Sequence, residues 1–424
     1  MIRHVISALL LATGMARATH AQKATTTSLA PATRPPEPGS ELTVTLVTFG
    51  QGEEVPERFG HNALLFYDAR TGIGTAYHWG LYDFQAPHFI ARFISGDARY
   101  SMGPMDGDQL IAAERAAGRE VTLQRLNLTP PQRITLRDYV RWNARDENKF
   151  YRYDYFKDNC STRLRDALDH ALDGALKRAA DTVVTTLTYR RESVRLTDGD
   201  APIQVGIDIA LGRPADEPLT AWDSFFIPMR LRDAIRGTRI PQHDGSSLPL
   251  VEREQKLPLV AEGKHVIEAP VAPRLTPELA LIGILLAALV VVLRLLMARS
   301  RSAAWALALL GSAWSLLCGL LGVILLLVWF ATQHVFWALN ENVLLLTPLS
   351  LALVPLIPMA LLRGRAERPA RMIASLIVTL ALVSFVLALI PGGQESRAIV
   401  ALIVPVHLAL AWALSLPRHA TQLL

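Results

Sequence analysis

The sequence predicts an exported α+β domain followed by an α-helical transmembrane bundle. Three observations lead to this class. The chain starts with a secretory signal pattern, its middle part changes from alternating to helical periodicity, and the part after Ala280 consists of long apolar runs. Alternation with period two is typical of half-buried strands, whereas apolar runs of about 20 residues can cross a bilayer. We therefore expect a folded domain outside the cytoplasm that is tethered to a membrane part.

The N-terminus has the three parts of a signal peptide. Arg3 is followed by an apolar stretch over residues 5–15 and then by small residues that include Ala18 and Ala21. A charged start, a short apolar segment and a small-residue cleavage site are typical of exported proteins. We predict a signal peptide at residues 1–21, cleaved after Ala18 or Ala21.

Composition divides the rest of the chain into five segments. We predict a flexible Pro-rich leader, an exported domain, a polar Pro-rich linker, a membrane domain and a cytoplasmic tail, at residues 22–40, 41–240, 241–277, 278–416 and 417–424 respectively. A domain of about 200 residues is long enough to bury one core.

Five apolar runs are long enough to span the hydrocarbon core. Their predicted limits are 278–297, 304–331, 343–362, 372–391 and 398–416. If the preceding domain is exported, the cytoplasmic connections and tail hold a group of arginines: Arg299, Arg301, Arg363, Arg365, Arg368, Arg371 and Arg418. Because cytoplasmic connections are enriched in Lys and Arg, the charges and the signal peptide predict the same topology. The net charge of +5 accordingly indicates anionic lipid nearby, not nucleic acid.

The exported part contains recognisable strands and helices. Alternating residues predict strands at 42–48, 62–67 and 73–79, of which the last two form a hairpin with His61 at its entrance. Thr129-Pro130 is a typical N-cap and first turn. Helices are predicted from there to Trp142, from Cys160 onward, and at about 203–211 and 219–236.

Cys160 is one of two cysteines, and the other, Cys318, lies inside the second predicted span. An exported protein normally pairs its cysteines, so an unpaired thiol there is either buried or used. Asn159 is a predicted N-cap, which places Cys160 in the first turn of a helix. There the positive end of the helix dipole and free backbone N–H groups favour the thiolate. A buried, inert cysteine is the competing interpretation.

Acyl transfer by a cysteine also requires an imidazole that accepts and returns the proton, and a polar group that orients it. His61 is the leading candidate because Gly60 lets the backbone turn and an apolar strand follows, although a structural histidine fits the same position. His78, on the neighbouring strand, is predicted to orient His61 or to contact substrate, and Tyr77 is the alternative. Asn159 either helps to hold the reacting carbonyl or only caps the helix.

No metal or nucleotide motif accompanies these residues. The sequence has no paired-cysteine motif, no His-Glu-x-x-His and no Gly-rich phosphate loop, one of which a zinc, nucleotide or dinucleotide site would require. We therefore expect neither a metal nor another cofactor.

Three segments carry a family resemblance: Phe59-Gly60-His61-Asn62-Ala63, Trp79-Gly80-Leu81-Tyr82-Asp83-Phe84 and the run from Tyr153 to Arg163. Together they resemble the Lnb-type bacterial family. Proteins of that family join an exported cysteine domain to several membrane spans. A histidine followed later by a helix that begins Asn-Cys is also similar to the circularly permuted papain-like, or NlpC-like, cysteine domains, which include lecithin retinol acyltransferase. A looser resemblance covers His334, Asn340 and the residues up to Pro348.

The resemblance implies an acyltransferase that N-acylates lipoproteins in the bacterial inner membrane, with its cysteine domain on the periplasmic side. Cys160 would take a fatty acyl chain from a phospholipid as a thioester and pass it to the N-terminal amine of a diacylglyceryl lipoprotein. His61 would be the general acid and base. The third catalytic position, the residue that orients His61, is either Tyr77 or His78. The expected substrate-binding residues are Tyr77, Tyr155, His334 and Asn340.

Two other functions fit the same residues. A membrane-tethered cysteine peptidase or amidase acting on cell-wall peptides would use the same dyad, since papain-like domains host several activities. A non-catalytic binding module would only bury Cys160. Five spans beside the domain favour the acyltransferase, because a lipid donor and a membrane-anchored acceptor both lie in the outer leaflet of the bilayer.

Overall fold

The computed structural model describes residues 36–83, 85–241, 246–260 and 265–416. The predicted signal peptide, most of the predicted leader and the predicted tail lie outside the described residues. The described chain contains an antiparallel sheet flanked by helices, followed by five helices long and apolar enough to cross a membrane. This arrangement confirms the predicted α+β domain and transmembrane bundle.

Nine strands form two sheets in the described ranges. They are β1 (Leu42–Phe49), β2 (His61–Asp68), β3 (Ile73–Leu81), β4 (Arg99–Asp106), β5 (Val121–Leu126), β6 (Phe150–Arg152), β7 (Arg239–Pro241), β8 (Ser247–Pro249) and β9 (Val251–Leu257). Seven strands form one antiparallel sheet in the order β6-β4-β3-β2-β1-β5-β9, and β7 pairs with β8.

Nine helices belong to the sheet domain: α1 (Phe89–Ser95), α2 (Gly107–Ala116), α3 (Pro130–Asn143), α4 (Cys160–Ala171), α5 (Ala175–Ala180), α6 (Tyr189–Leu196), α7 (Ala201–Ala210), α8 (Ala221–Ser224) and α9 (Pro228–Gly237). The membrane part contains α10 (Thr276–Leu296), α11 (Arg301–Ala331), α12 (Asn342–Leu345), α13 (Ser350–Arg363), α14 (Glu367–Leu387) and α15 (Arg397–Ser415). Short 3₁₀ helices occur at Val55–Phe59, Arg213–Asp216 and Val335–Trp337.

Helices cover both faces of the sheet, which explains why β1 is apolar on both sides. On one face, Val44 and Leu46 pack with Leu168 of α4 in the main core of the domain. On the other face, Val47 packs in a smaller cluster with Leu110 of α2. Because successive strand residues point to opposite faces, both sets of β1 side chains become buried.

The predicted hairpin brings the ends of two strands to the start of α4. Strands β2 and β3 pair antiparallel from Leu64 opposite Tyr77 to Asp68 opposite Ile73. His61, at the start of β2, therefore lies near the end of β3. Helix α4 packs against both strands. A helix N-terminus and two strand ends thus meet at one end of the sheet.

The predicted linker is wrong over residues 251–257. These residues form β9, which pairs with β5 at the edge of the main sheet. One side of an edge strand faces solvent, so charged residues are common there and its composition resembles that of a linker. The cross-strand ion pair between Arg125 and Glu252, at 3.0 Å, illustrates this.

The helix predicted at 219–236 is also wrong, because it is two helices, α8 and α9. Pro228 is the first residue of α9. Proline has no N–H and clashes with the preceding turn, so it is accommodated at a helix start and not in a helix interior. The apolar periodicity continues across this break and therefore suggested a single helix.

The number and order of the membrane spans agree with the prediction. The candidate spans are Thr276–Leu296, Arg301–Ala331, Asn342–Arg363, Glu367–Leu387 and Arg397–Ser415. The third span consists of α12 and α13, and Pro348 lies in the interruption between them. Helix α10 packs against α15, and α11 packs against α13.

Buried asparagines join the sheet domain to the connection between the second and third spans. The amide nitrogen of Asn340 donates to the carbonyl oxygens of Ile209 and Ala210 at 2.8 and 2.9 Å. That of Asn342 donates to the carbonyl oxygens of Asp208 and Ile209 at 3.0 and 3.1 Å. The last carbonyls of a helix have no intrahelical donor, so these amides cap α7. The cap fixes the domain to the bundle.

Candidate functional site

Cys160 is the first residue of α4, as the sequence predicts. The side-chain oxygen of Asn159 accepts hydrogen bonds from the backbone N–H groups of Ser161 and Thr162, both at 2.9 Å. The hydroxyl of Thr162 accepts in return from the backbone N–H of Asn159 at 2.8 Å. This reciprocal pair is a capping box, which fixes the start of a helix. The predicted N-cap is confirmed.

The amide nitrogen of Asn159 is engaged as well. It donates to the carbonyl oxygens of Tyr155 and Phe226 at 3.0 and 2.9 Å. The whole side-chain amide of Asn159 is thus hydrogen-bonded to backbone groups around Cys160. The geometry supports the capping interpretation of Asn159 over contact with a reacting carbonyl.

His61 and His78 form a hydrogen-bonded pair. The Nε2 atom of His61 lies 3.0 Å from the Nδ1 atom of His78, and the two rings are nearly perpendicular, with an angle of 84° between their planes. The ring of Phe49 stacks on His61 at a centroid distance of 6.1 Å. His61 is therefore held from two sides, and its Nδ1 atom is the ring nitrogen that His78 leaves free.

Cys160 and His61 both lie next to Gly80. We call the space beside this glycine the gap. A Cβ atom placed on Gly80 would lie 3.3 Å from the Cβ of Cys160 and 4.0 Å from the Cε1 of His61. The φ angle of Gly80 is +92°, in a region that side chains rarely tolerate. The absence of a side chain here keeps open the space that Cys160 and His61 both border.

Burial controls the protonation of Cys160. Burial raises the pKa of the thiol to about 11, and the backbone N–H of Ser161 and the charge of Arg119 offset this only in part. The prediction that the helix start favours the thiolate is correct in direction, because the backbone N–H groups there lower the pKa of the thiol. Loss of solvent around a charged sulfur outweighs the helix terminus at this position.

Both histidines are neutral at pH 7. Burial lowers the pKa of His78 to about 4. Burial, and then the charges of His78 and Arg119, lower the pKa of His61 well below its usual value. The resting site is thus a neutral thiol beside a neutral imidazole, because each charged form would lose its hydration.

Tyr77 points away from this pair. Neighbouring residues of a strand face opposite sides of a sheet, so Tyr77 and His78 diverge. The ring of Tyr77 packs edge to face on Phe66 at 5.8 Å and belongs to the main core. Of the two residues predicted for the third position, His78 is the one that contacts His61.

The other predicted substrate-binding residues lie where the sheet domain meets the connection between the second and third spans. We call this contact region, which includes Asn340 and Asn342, the joint. The rings of Tyr155 and His334 are 6.0 Å apart. The Nε2 of His334 donates to the carbonyl oxygens of Phe93 and Ile94 at 3.2 and 3.1 Å. The oxygen of Asn340 accepts from the backbone N–H of Asn342 and from Gln394, so its whole amide holds the joint and none of it is free for substrate.

Sequence reasoning missed Arg119. This buried side chain donates to the carbonyl oxygen of Gly50 and to the carboxylate of Glu114, at 2.9 and 2.7 Å. Its guanidinium lies 5.9 Å from the ring of Phe49, the ring that stacks on His61. Its position depends on a long-range contact that no local pattern reveals. The importance of Gly80 could have been inferred from the sequence, because it directly follows the strand residues His78 and Trp79.

Metal ligands are not grouped in the described part of the chain. No three His, Cys, Asp or Glu side chains there lie close enough together to hold a metal ion. The two side chains that border the gap are those of Cys160 and His61, a thiol and an imidazole, which suit covalent acyl chemistry.

Two family models match the chain. A model described as the Lnb N-terminal periplasmic domain matches residues 38–191, which include the two histidines and Cys160. A model described as the Lnb transmembrane domain matches residues 271–416, which include all five candidate spans. Searches of curated proteins and of solved structures find no match. The sheet domain is thus periplasmic, and the protein is a membrane protein.

Proposed function

We propose, because the chain belongs to the Lnb family, that it moves a fatty acyl chain from a membrane phospholipid through Cys160 to the N-terminal amine of bacterial lipoproteins. The observation that carries this proposal is the gap at Gly80, which is bordered by a thiol and by an imidazole bonded to His78. Covalent acyl transfer requires this set of groups. We place the protein in the inner membrane, where both lipid substrates are present in the outer leaflet.

The resting tautomers follow from the hydrogen bond between the histidines. To act as a base toward the thiol, His61 must keep a lone pair on Nδ1, so its Nε2 carries the hydrogen and donates to Nδ1 of His78. When His61 accepts a second proton, the lone pair of His78 stabilises the imidazolium. Because the thiol has a raised pKa and His61 a lowered one, proton transfer accompanies nucleophilic attack and does not precede it.

The first half-reaction forms a thioester. The sulfur of Cys160 attacks the carbonyl carbon of a phospholipid ester, and the bond from that carbon to the glycerol oxygen breaks. The thiol proton passes through His61 to the leaving oxygen, which releases a lysophospholipid. Backbone N–H groups of Ser161, Cys160 and Asn62 lower the pKa of the thiol and so favour negative charge on the sulfur.

The second half-reaction consumes the thioester. The N-terminal amine of a diacylglyceryl lipoprotein attacks the thioester carbonyl, and the carbon–sulfur bond breaks. A proton from the amine passes through His61 to the sulfur, which restores the thiol and leaves an amide. No cofactor is needed, since no oxidation state changes.

Mass spectrometry of the Cys160 peptide tests the proposal. The purified full chain is incubated with phosphatidylethanolamine vesicles, and the peptide is analysed before and after hydroxylamine, which cleaves thioesters. We expect an acyl adduct that hydroxylamine removes, that is absent in Cys160→Ala and present in Cys318→Ala. Cys318 is the matched control because it is the other free cysteine and lies in the bundle.

Two results would overturn the proposal. An unmodified Cys160 that still reacts with iodoacetamide would favour a peptidase or amidase that uses the same dyad. An unmodified Cys160 that resists iodoacetamide at any pH at which the protein stays folded would favour a structural cysteine in a binding module.

A further inference from the structure

Helix α1 exposes one apolar side. Ile90, Phe93 and Ile94 are 67%, 49% and 59% exposed, whereas Phe89 on the other side is buried. A cluster of exposed large apolar residues marks a surface that contacts a partner or a membrane. The helix has only seven residues, so its stability depends on the elements that hold it.

The C-terminal end of α1 is bonded to the connection that follows the second membrane span. The backbone N–H of Gln333 donates to the carbonyl oxygen of Ser95 at 2.8 Å. His334 donates to the carbonyl oxygens of Phe93 and Ile94. Since α11 ends at Ala331, α1 lies beside the end of the second span, where the apolar residues Phe330 and Val335 are also exposed. The occupant of this surface is therefore the lipid of the bilayer.

Two arginines lie on strands next to this helix. Arg99 and Arg152 are directly opposite each other on β4 and β6, and both are exposed. Arg152 donates to the side chain of Gln333. Within the described ranges, neither arginine has a carboxylate partner in an ion pair. Like charges directly opposite each other destabilise a strand pair, and a phosphate between them would reverse that effect.

Aromatic rings lead from α1 toward Cys160. The ring of Tyr82 is 6.0 Å from that of Phe89 and 5.2 Å from that of Tyr100. Tyr100 stacks on Tyr153 at 4.1 Å. Tyr100, Tyr153 and Cys160 all pack against the main core, and the charge of Cys160 is, after burial, the next cause that raises the pKa of Tyr153. These rings form an aromatic cluster between α1 and the core against which Cys160 packs.

We propose that α1 inserts into the outer leaflet and that Arg99 and Arg152, at the edge of the sheet, bind the phosphate of a phospholipid that donates its acyl chain to Cys160. The inserted helix and the arginine pair form a lipid access site. This inference rests on the proposed function for the fate of the lipid, whereas the insertion of α1 stands on its own contacts.

Depth measurement tests the insertion. Single cysteines replace Ile94 or Ile73 (Ile94→Cys, Ile73→Cys) in full chains that carry Cys160→Ala and Cys318→Ala, and they are labelled with bimane in nanodiscs of brominated phosphatidylglycerol. Ile73 is the matched control because it is equally exposed, at 59%, but lies at the opposite end of β3 from the site. We expect quenching at position 94 and little at position 73. Equal fluorescence at both positions would overturn the insertion.

Acyl-adduct formation tests the phosphate site. In Arg99→Gln/Arg152→Gln, we expect adduct formation from phosphatidylglycerol vesicles to fall about tenfold or more, and Arg99→Lys/Arg152→Lys to retain part of it. Acylation by the uncharged soluble ester p-nitrophenyl butyrate should not change. Arg141→Gln, on the exposed side of α3, should match the wild type with both donors.

The outcomes separate the two proposals. If the wild type forms an adduct from the vesicles and the arginine variant forms it equally well, the phosphate site is wrong and the proposed function stands. If the wild type is acylated by neither donor, the proposed function fails, and the bimane result still decides whether α1 inserts.

Discussion

The Nε2 atom of His61 lies 3.0 Å from the Nδ1 atom of His78, and both residues belong to adjacent antiparallel strands. A strand backbone fixes the direction of its side chains, so the two rings meet without a flexible element between them. An enzyme site built on a sheet is held more accurately than one on a loop. We propose from this geometry that His78 orients His61.

The orienting role predicts different effects for two substitutions of His78. In His78→Asn the amide oxygen can replace Nδ1 as the acceptor for His61, whereas His78→Leu removes the acceptor. We expect the rate of acyl-adduct formation to fall on the order of 10²-fold in His78→Leu and less in His78→Asn. Quantitative mass spectrometry of the Cys160 peptide over time measures both rates. Equal losses in the two variants would leave His78 with a packing role only.

The raised pKa of Cys160 predicts its pH profile for alkylation. Since the thiolate is the nucleophile and the thiol pKa is about 11, the rate with iodoacetamide should rise about tenfold per pH unit from pH 7 upward, without a plateau below pH 10. An exposed thiol from Thr71→Cys, in a chain with Cys160→Ala and Cys318→Ala, is the control. It should level off near its ordinary pKa of about 8.5. A plateau for Cys160 near pH 7 would instead indicate a stable thiolate–imidazolium pair.

The sequence predicts those parts of the site that local rules determine. The helix start at Cys160 and the cap at Asn159 follow from neighbouring residues, and the β2–β3 hairpin follows from alternation around a turn. The thiol pKa does not follow, because it depends on burial by distant elements. The side that each histidine faces also requires the strand register, which the pattern alone leaves open by one residue.

The position of Arg119 near the site and the pairing of edge strand β9 also could not be predicted from local sequence rules. Arg119 lies between α2 and β5 and near the ring of Phe49 on β1, and β9 is polar because its partner covers only one edge. In both cases the determining contact is long-range. The five spans were predictable because in a bilayer each helix satisfies its own backbone, so composition and length are sufficient.

The gap at Gly80 predicts a paired result for two glycine substitutions. Gly80→Ala and Gly72→Ala both place a side chain at positive φ, at +92° and +71°, which costs about 1 kcal/mol of unfolding free energy. Only Gly80→Ala also places a methyl group 3.3 Å from the Cβ of Cys160, whereas nothing lies within 4 Å at Gly72. We expect similar small losses in thermal stability but a loss of adduct formation in Gly80→Ala alone. Similar activity in both variants would contradict the role of the gap.

The joint between the domain and the bundle predicts the effect of Asn340→Asp. The substitution replaces two donors with a carboxylate oxygen that faces the carbonyl oxygens of Ile209 and Ala210, so the variant should lose roughly 1–3 kcal/mol of stability. Asn148→Asp is the control, because that exposed amide donates one hydrogen bond, to the carbonyl oxygen of Trp142.

Thermal unfolding of the full chain in detergent, together with adduct formation from vesicles, measures the consequence of Asn340→Asp. We expect the melting temperature to fall in Asn340→Asp and to stay near the wild-type value in Asn148→Asp. Adduct formation from vesicle lipid should fall more than acylation by soluble p-nitrophenyl butyrate, since Asn340 fixes α7 to the connection between the second and third spans without contacting Cys160. Equal loss with both donors would show that Asn340 supports the fold of the sheet domain itself and not its attachment to the bundle.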